Sequence, residues 1–186
     1  DEADEDAEDE ADEKADEVEG VVIENKGFAN YFPQLSPDGK KVAYLSNQEF
    51  DYGATSLMVY DIATRKSEIV NAPVSTNFSW SPDSKKILFA KRNYPRTILG
   101  TTVYDIYELN VKSGDEKKLT ENLRATSPAY APDGKTMIFV TNRDGTLNLN
   151  LANTDGKNIR PLTTFTNGEQ VYNPKFSPDG KKIYFD

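Results

Sequence analysis

A proline-aspartate corner recurs four times in this chain of 186 residues and constrains its fold more than any other feature. The four copies are Ser36-Pro37-Asp38-Gly39, Ser81-Pro82-Asp83-Ser84, Ala131-Pro132-Asp133-Gly134 and Ser177-Pro178-Asp179-Gly180. Their prolines are 45, 50 and 46 residues apart, a period typical of one four-stranded propeller blade per repeat. The chain is therefore predicted to be an array of similar units.

Each corner has the composition of a tight hairpin turn. Proline presets φ at the first central position, aspartate bonds the neighbouring backbone, and glycine accepts a left-handed conformation. The runs that follow the corners, such as 42–45, 87–90 and 137–140, are continuously apolar, so we expect strands buried on both faces. Ser84 replaces the glycine in the second copy, and in a left-handed conformation it should cost about 1 kcal/mol.

These corners, each followed by lysine and an apolar strand, resemble the repeats of the TolB-like or PD40 (WD40-like) β-propeller family. The resemblance spans about 21–186. It implies an all-β fold, a β-propeller with four-stranded antiparallel blades, of which about three and a half are present as a partial propeller. It also implies a bacterial cell-envelope protein, periplasmic or extracellular.

The repeats divide residues 21–186 into blades at about 28–70, 76–120, 126–165 and a partial blade at 171–186. In the first blade we expect strands near 31–35, 41–46, 56–62 and 67–70. The upstream run Val21-Val22-Ile23-Glu24 looks like an outermost strand, which completes the truncated last blade or belongs to a preceding one. We therefore expect a fragment of a larger protein, and a homodimer that closes one ring between two chains is the alternative.

Residues 1–20 form an acidic, low-complexity tail with 13 acidic residues and one lysine. The remainder of the chain holds 21 basic and 18 acidic residues, so the net charge of −9 comes entirely from the tail. Like charges repel along any helix that the alanines at every fourth position would form, and we expect a solvated, largely disordered linker. The alternatives are a segment that attracts a basic partner electrostatically and a segment that binds cations weakly.

The chain contains neither histidine nor cysteine, which excludes a Ser-His-Asp triad, a Cys-His dyad and a histidine-bound zinc centre built from these residues alone. We therefore predict no enzyme activity, no catalytic residue and no cofactor. An oxygen-rich stretch at 142–155 lacks the spacing of a calcium loop and favours two tight turns, at 142–145 and 154–157.

Two long loops between the second and third strands of the first two blades are the predicted partner surface. Aromatic and arginine side chains dominate binding hot spots, which selects Phe50, Tyr52, Arg92, Tyr94 and Arg96. The alternative is that these two loops bind no partner and only cover the blades or contact a neighbouring domain. The small charge of the repeats argues against nucleic acid, and no run of 18 apolar residues exists for membrane insertion.

The function that these features favour is a non-catalytic interaction scaffold that docks a protein partner or the remaining domains of a larger polypeptide. The alternative is the propeller cap of a serine peptidase resembling prolyl oligopeptidases, with its catalytic domain outside this chain. A structural spacer without a ligand is the third possibility.

Overall fold

The structure is a computed structural model that describes residues 23, 29–48, 54–71, 73–74, 77–93 and 103–186. Within these ranges the regular elements are β-strands, which form three four-stranded antiparallel sheets and one two-stranded sheet. None of the described residues forms a helix with the length and hydropathy needed to cross a bilayer. The partial all-β propeller expected from the sequence is confirmed.

Each sheet follows the order of its strands along the chain. The first contains β1 (Asn30–Leu35), β2 (Lys41–Ser46), β3 (Ser56–Asp61) and β4 (Lys66–Asn71). The second contains β5 (Ser79–Trp80), β6 (Lys86–Asn93), β7 (Val103–Asn110) and β8 (Glu116–Lys118). The third contains β9 (Ala125–Tyr130), β10 (Thr136–Arg143), β11 (Thr146–Asn153) and β12 (Arg160–Pro161). The fourth pairs β13 (Lys175–Phe176) with β14 (Ile183–Tyr184).

The core lies between the sheets, because the second strand of each complete blade is apolar on both faces. Ala43 and Leu45 of the first blade pack against Ile87 and Phe89 of the second. Leu88, on the other face of β6, packs in turn against the third blade. The continuous apolar runs are thus buried on both faces, as expected from the sequence.

The three corners that begin with serine share one hydrogen-bond pattern. In the first, the Ser36 hydroxyl donates to Asp38 Oδ1 at 2.7 Å and accepts from the Lys41 N–H at 2.9 Å. The second and fourth corners repeat both bonds. The serine hydroxyl, followed by the backbone N–H of a lysine, lowers the pKa of Asp38 and Asp179 below the usual range. The recurring tetrapeptide therefore has a structural role.

Successive corners also contact each other. A Cβ on Gly134 would lie 3.6 Å from Pro82 Cδ, and one on Gly180 would lie 3.6 Å from Pro132 Cδ. Between the first two corners, the Asp38 N–H donates to the Ser84 hydroxyl at 3.0 Å. Each corner therefore stacks on the corner of the preceding blade.

Ser84 has φ +60°, so the expected left-handed conformation is confirmed. We predict that Ser84→Ala, which keeps the strained conformation and loses the bond to Asp38, lowers the free energy of unfolding by about 1 kcal/mol. Ser84→Gly loses the same bond but removes the strain, and should be about 1 kcal/mol more stable than Ser84→Ala. Urea unfolding of both variants measures this difference. Equal stability of the two variants would contradict the strain.

The upstream run at 21–24 is described only at Ile23, which lies in no strand. Ile23 packs beside Tyr44, Met58 and Tyr60, on the face of the first blade opposite to the second blade. Ile23 therefore contacts the first blade, and the rest of this run lies outside the described residues. The acidic tail at 1–20 lies outside the described residues.

A fully buried carboxylate fixes the segment that links the second and third blades. Asp105 Oδ1 accepts from the Thr120 hydroxyl at 3.0 Å and from the Leu123 N–H at 3.2 Å. Asp105 Oδ2 accepts from the Asn122 N–H at 3.1 Å and lies 3.3 Å from Lys118 Nζ. Since Lys118 comes from β8, the carboxylate joins two strands to the linker.

In the third blade, a side-chain amide takes the place of the Asp105 carboxylate. Asn148 is the third residue of β11, as Asp105 is of β7. Its Oδ1 accepts from the Thr163 hydroxyl at 2.9 Å and from the Phe165 N–H at 2.7 Å. The amide therefore fixes the segment between the third and fourth blades.

Candidate functional site

A pocket of about 750 Å³ lies where the innermost strands of all four blades converge. In every blade, the residues that lie four, three and two positions before the corner form part of its wall. These are residues 32–34, 77–79, 127–129 and 173–175. Residues of the partial blade, Tyr184, Phe185 and Asp186, close one side. Equivalent positions of the repeat therefore build this axial pocket.

Three of these wall segments begin with a left-handed residue that is not glycine. Phe32 has φ +53°, and Ser127 and Asn173 both have φ +49°. The first two lie at irregularities in the pairing of β1 with β2 and of β9 with β10. Such conformations cost about 1–2 kcal/mol each for residues other than glycine, and their clustering is typical of binding sites.

Side-chain amides connect the blades across the pocket. Gln34 Nε2 donates to the Phe78 carbonyl at 2.8 Å, which joins the first blade to the second. Asn77 Nδ2 donates to Asn173 Oδ1, and Asn173 Nδ2 donates to Asp186 Oδ2 at 3.0 Å. The polar groups of the second and fourth blades thus meet in one chain of hydrogen bonds.

A buried tyrosine stabilises the wall between the second and third blades. The Tyr130 hydroxyl donates to Glu108 Oε2 at 2.9 Å, and Glu108 Oε1 pairs with Lys86 Nζ at 2.7 Å. Burial, and then the nearby Glu108 carboxylate, raise the pKa of Tyr130 well above its ordinary value. Tyr130 therefore stays protonated as a donor and holds this wall in place.

The partner surface expected from the sequence is described only at Arg92. Phe50, Tyr52, Tyr94 and Arg96 lie outside the described residues. Arg92 is exposed near the end of β6, and its Nε donates to the Tyr104 hydroxyl at 3.0 Å. Its guanidinium carbon lies 5.8 Å from the centroid of the Tyr104 ring. Tyr104 therefore supports the guanidinium on the blade surface.

The oxygen-rich stretch of the third blade forms the tight turns that the sequence favours. Asp144 and Gly145 both have positive φ, the conformation of a two-residue hairpin turn between β10 and β11. The side chains of Asn148 and Asn150 bond to the blade itself. Within the described ranges, no group of three or more acidic side chains is placed to hold a metal ion.

The profile of the TolB beta propeller domain family, PD40, matches residues 15–186. The chain belongs to this family.

Comparison with individual proteins agrees with this TolB propeller assignment. The Tol-Pal system protein TolB of Francisella tularensis is 30% identical over 156 residues, which cover 82% of this chain and 34% of that protein. Dipeptidyl-peptidase 5 of Porphyromonas gingivalis is 31% identical over 122 residues, which cover 59% of this chain and 17% of that protein. This chain therefore spans about a third, or less, of the length of these relatives.

A solved structure shows the same TolB fold. The crystal structure of TolB from Acinetobacter baumannii superimposes with a TM-score of 0.65 at 24% sequence identity. The match covers 84% of this chain and 37% of the other. The blade architecture described above is therefore that of a TolB propeller.

Sequence reasoning missed the axial pocket of this TolB propeller, although the repeat carries a signal for it. A proline stands three positions before the corner in three copies, as Pro33, Pro128 and Pro174. In each case it follows the left-handed residue. Alignment of the repeats on their corners would have marked these positions as one recurring feature of the innermost strands.

Proposed function

We propose that this chain is a non-catalytic protein-interaction scaffold, a TolB-like propeller segment of a bacterial cell-envelope protein, periplasmic or extracellular. The observation that carries the proposal is the axial pocket, whose walls combine strained backbone, aromatic rings and side-chain amides on rigid strands. A relative named as a Tol-Pal system protein supports an envelope role.

The residues themselves favour recognition over reaction. The chain has no histidine or cysteine, and the corner aspartates are bonded within their turns. The acidic side chain of the pocket wall, Asp186, accepts from Asn173. A rigid surface that positions a partner requires no general base and no nucleophile.

The contact surface in this proposal combines the pocket rim with the loops that carry Phe50, Tyr52, Arg92, Tyr94 and Arg96. We predict that Tyr94→Ala combined with Arg96→Ala lowers capture of envelope proteins at least about tenfold, because truncating a hot-spot residue costs more than about 1 kcal/mol. Immobilised chain, envelope extract and quantitative mass spectrometry measure the loss.

Arg143→Ala is the matched control, since Arg143 is an exposed arginine at the end of β10, beside a short hairpin. Thermal unfolding of each variant verifies that the fold is unchanged. If the loop variant captures as much protein as Arg143→Ala does, the loops are not the contact surface.

The similarity to Dipeptidyl-peptidase 5 favours a second candidate, the propeller cap of a serine peptidase. This candidate predicts that the coding sequence around this chain encodes an α/β-hydrolase domain with a Gly-x-Ser-x-Gly elbow. Sequencing of the flanking reading frame decides between a cap and a scaffold.

A further inference from the structure

An Asn-Gly pair, Asn167-Gly168, stands in the linker between the third and fourth blades, and Asn167 is the only asparagine of the sequence that a glycine follows. An asparagine loses its amide when the backbone nitrogen of the next residue attacks the side-chain carbonyl carbon. Glycine hinders that attack least, because it has no Cβ and its backbone adopts many conformations. The sequence therefore favours this chemistry at Asn167 over every other asparagine.

The Asn167 side chain is free to react. Asn167 and Gly168 are both exposed, and the Asn167 side chain forms no hydrogen bond with a described residue. Gly168 has φ +80°, and a Cβ at this position would meet no described atom within 4 Å. Since the described atoms leave this side of the backbone open, the segment has room to close a small ring.

The complete third blade, and not the partial fourth, sets the surroundings of this pair. Three hydrogen bonds tie residues 168–170 to the hairpin between β10 and β11. They run from the Gly168 N–H to Thr146 Oγ1 at 3.1 Å, from the Leu147 N–H to the Glu169 carbonyl at 2.9 Å, and from Gln170 Nε2 to the Gly145 carbonyl at 2.9 Å. Residues 121, 122 and 124, in the linker between the second and third blades, are exposed as well, although a complete blade follows them.

The five Asp-Gly pairs of the chain, which begin at residues 38, 133, 144, 155 and 179, have the same spacing but are less reactive. The carboxylates of Asp38 and Asp179 accept from a serine hydroxyl, and that bond, followed by a lysine backbone N–H, keeps their pKa below the ordinary value. An ionised carboxylate repels a nucleophile, whereas the Asn167 amide is neutral. Asn167 therefore carries the most reactive side-chain carbonyl of these pairs.

We propose that Asn167 is a site of spontaneous deamidation, at a rate that the Thr146 hydroxyl limits. The Gly168 nitrogen loses its proton and forms a bond to the side-chain carbonyl carbon of Asn167. The bond from that carbon to Nδ2 breaks, and ammonia leaves with the proton. One water molecule then adds to either carbonyl of the five-membered succinimide and opens it, which yields isoaspartate or aspartate at position 167. Because the Gly168 N–H donates to Thr146, that bond must open before the first step.

Either product should loosen the linker from the third blade. Isoaspartate lengthens the main chain by a methylene group, which displaces Gly168 from Thr146. Both products add a carboxylate beside Glu169, whose Oε2 now accepts from the Asn167 N–H at 2.7 Å, and the two negative charges repel each other. The Leu147 N–H, which donates to the Glu169 carbonyl, should therefore exchange with deuterium faster in the deamidated protein.

The test is a time course of the 186-residue chain in mildly alkaline buffer, followed by trypsin digestion and tandem mass spectrometry. The peptide 158–175 contains Asn158, Asn167 and Asn173, so two asparagines serve as internal controls. Asn167 should gain the mass of an amide-to-acid conversion with time, and chromatography should separate an isoaspartyl form. Asn158 and Asn173 should stay intact, because the β-branched Ile159 hinders attack and Pro174 has no N–H to lose.

Two substitutions of Thr146, which is 5% exposed, test its control of the rate. Thr146→Val removes the acceptor of the Gly168 N–H and should speed deamidation about fivefold, the factor that corresponds to one typical intramolecular hydrogen bond. Thr146→Ser is the matched control, because it keeps the hydroxyl and should leave the rate unchanged. Asn167→Gln should lose the product, since its longer side chain would have to close a six-membered ring.

Two results of the time course on the unsubstituted chain would overturn the proposal. One is an Asn167 amide that stays intact as long as that of Asn158, and the other is conversion of all three asparagines at the same rate. Equal rates for Thr146→Val and Thr146→Ser would refute the control assigned to Thr146. Unchanged deuterium exchange at Leu147 would refute the loosened linker. No partner is involved in these measurements, so their outcome is independent of the scaffold proposal.

Discussion

Asp105→Ala should lower the free energy of unfolding by about 3–5 kcal/mol, because it removes the buried partner of a lysine and of several donors. Thr120, Asn122 and Leu123 would each lose the acceptor that now fixes the linker between the second and third blades. Native stability is only about 5–15 kcal/mol, so a loss of this size is a large fraction of the total. Urea unfolding followed by tryptophan fluorescence measures it.

Two companion variants keep this prediction testable even when Asp105→Ala folds poorly. Asp105→Asn retains the shape and resembles Asn148 in the third blade, so it should cost about 1–3 kcal/mol. Asp115→Ala makes the same truncation in an exposed turn and should cost no more than about 0.5 kcal/mol. The buried carboxylate would have no special role if Asp105→Ala and Asp115→Ala were equally stable.

Gly156→Ala is expected to destabilise the protein by about 2–5 kcal/mol, through backbone strain and overpacking together. Gly156 has φ +86°, and a Cβ at this position would lie 2.3 Å from the Leu119 carbonyl oxygen. Because the obstacle is backbone at the junction of two blades, no side-chain rotation relieves the clash. Thermal and urea unfolding should both report the loss.

Gly114→Ala isolates the contribution of backbone strain. Gly114 also has positive φ and lies in the outer turn of the second blade, but a Cβ there meets no described atom within 4 Å. It should therefore cost only about 1 kcal/mol. Equal destabilisation by Gly156→Ala and Gly114→Ala would show that the close approach to Leu119 does not contribute to the free energy of unfolding.

The architecture follows from local sequence because each corner combines several independent signals. Proline, aspartate and a left-handed fourth residue specify the turn, and an apolar run specifies the strand that follows. For β3, residues 56–62 are predicted and the strand is Ser56–Asp61. For β4, residues 67–70 are expected and the strand is Lys66–Asn71, one residue longer at each end.

Features that depend on contacts between repeats could not be predicted from one repeat at a time. Asp105 is a charged residue in a strand, and nothing adjacent to it in sequence shows that it is buried. Its partners lie 13 to 18 positions away, at Lys118, Thr120, Asn122 and Leu123. The pair Leu119-Thr120, repeated at Leu162-Thr163, is the signal that comparison of the blades would have found.

The prolines of the axial pocket also affect how this molecule resists polymerisation. Pro33 and Pro128 lie in β1 and β9, Pro174 lies directly before β13, and none of the three has an N–H to donate. A foreign strand that approached from the axis would therefore find no backbone N–H donor at this position in three of the blades. Ordered stacking into fibres requires an unbroken ladder, so the axial edges of these three blades are protected from such growth.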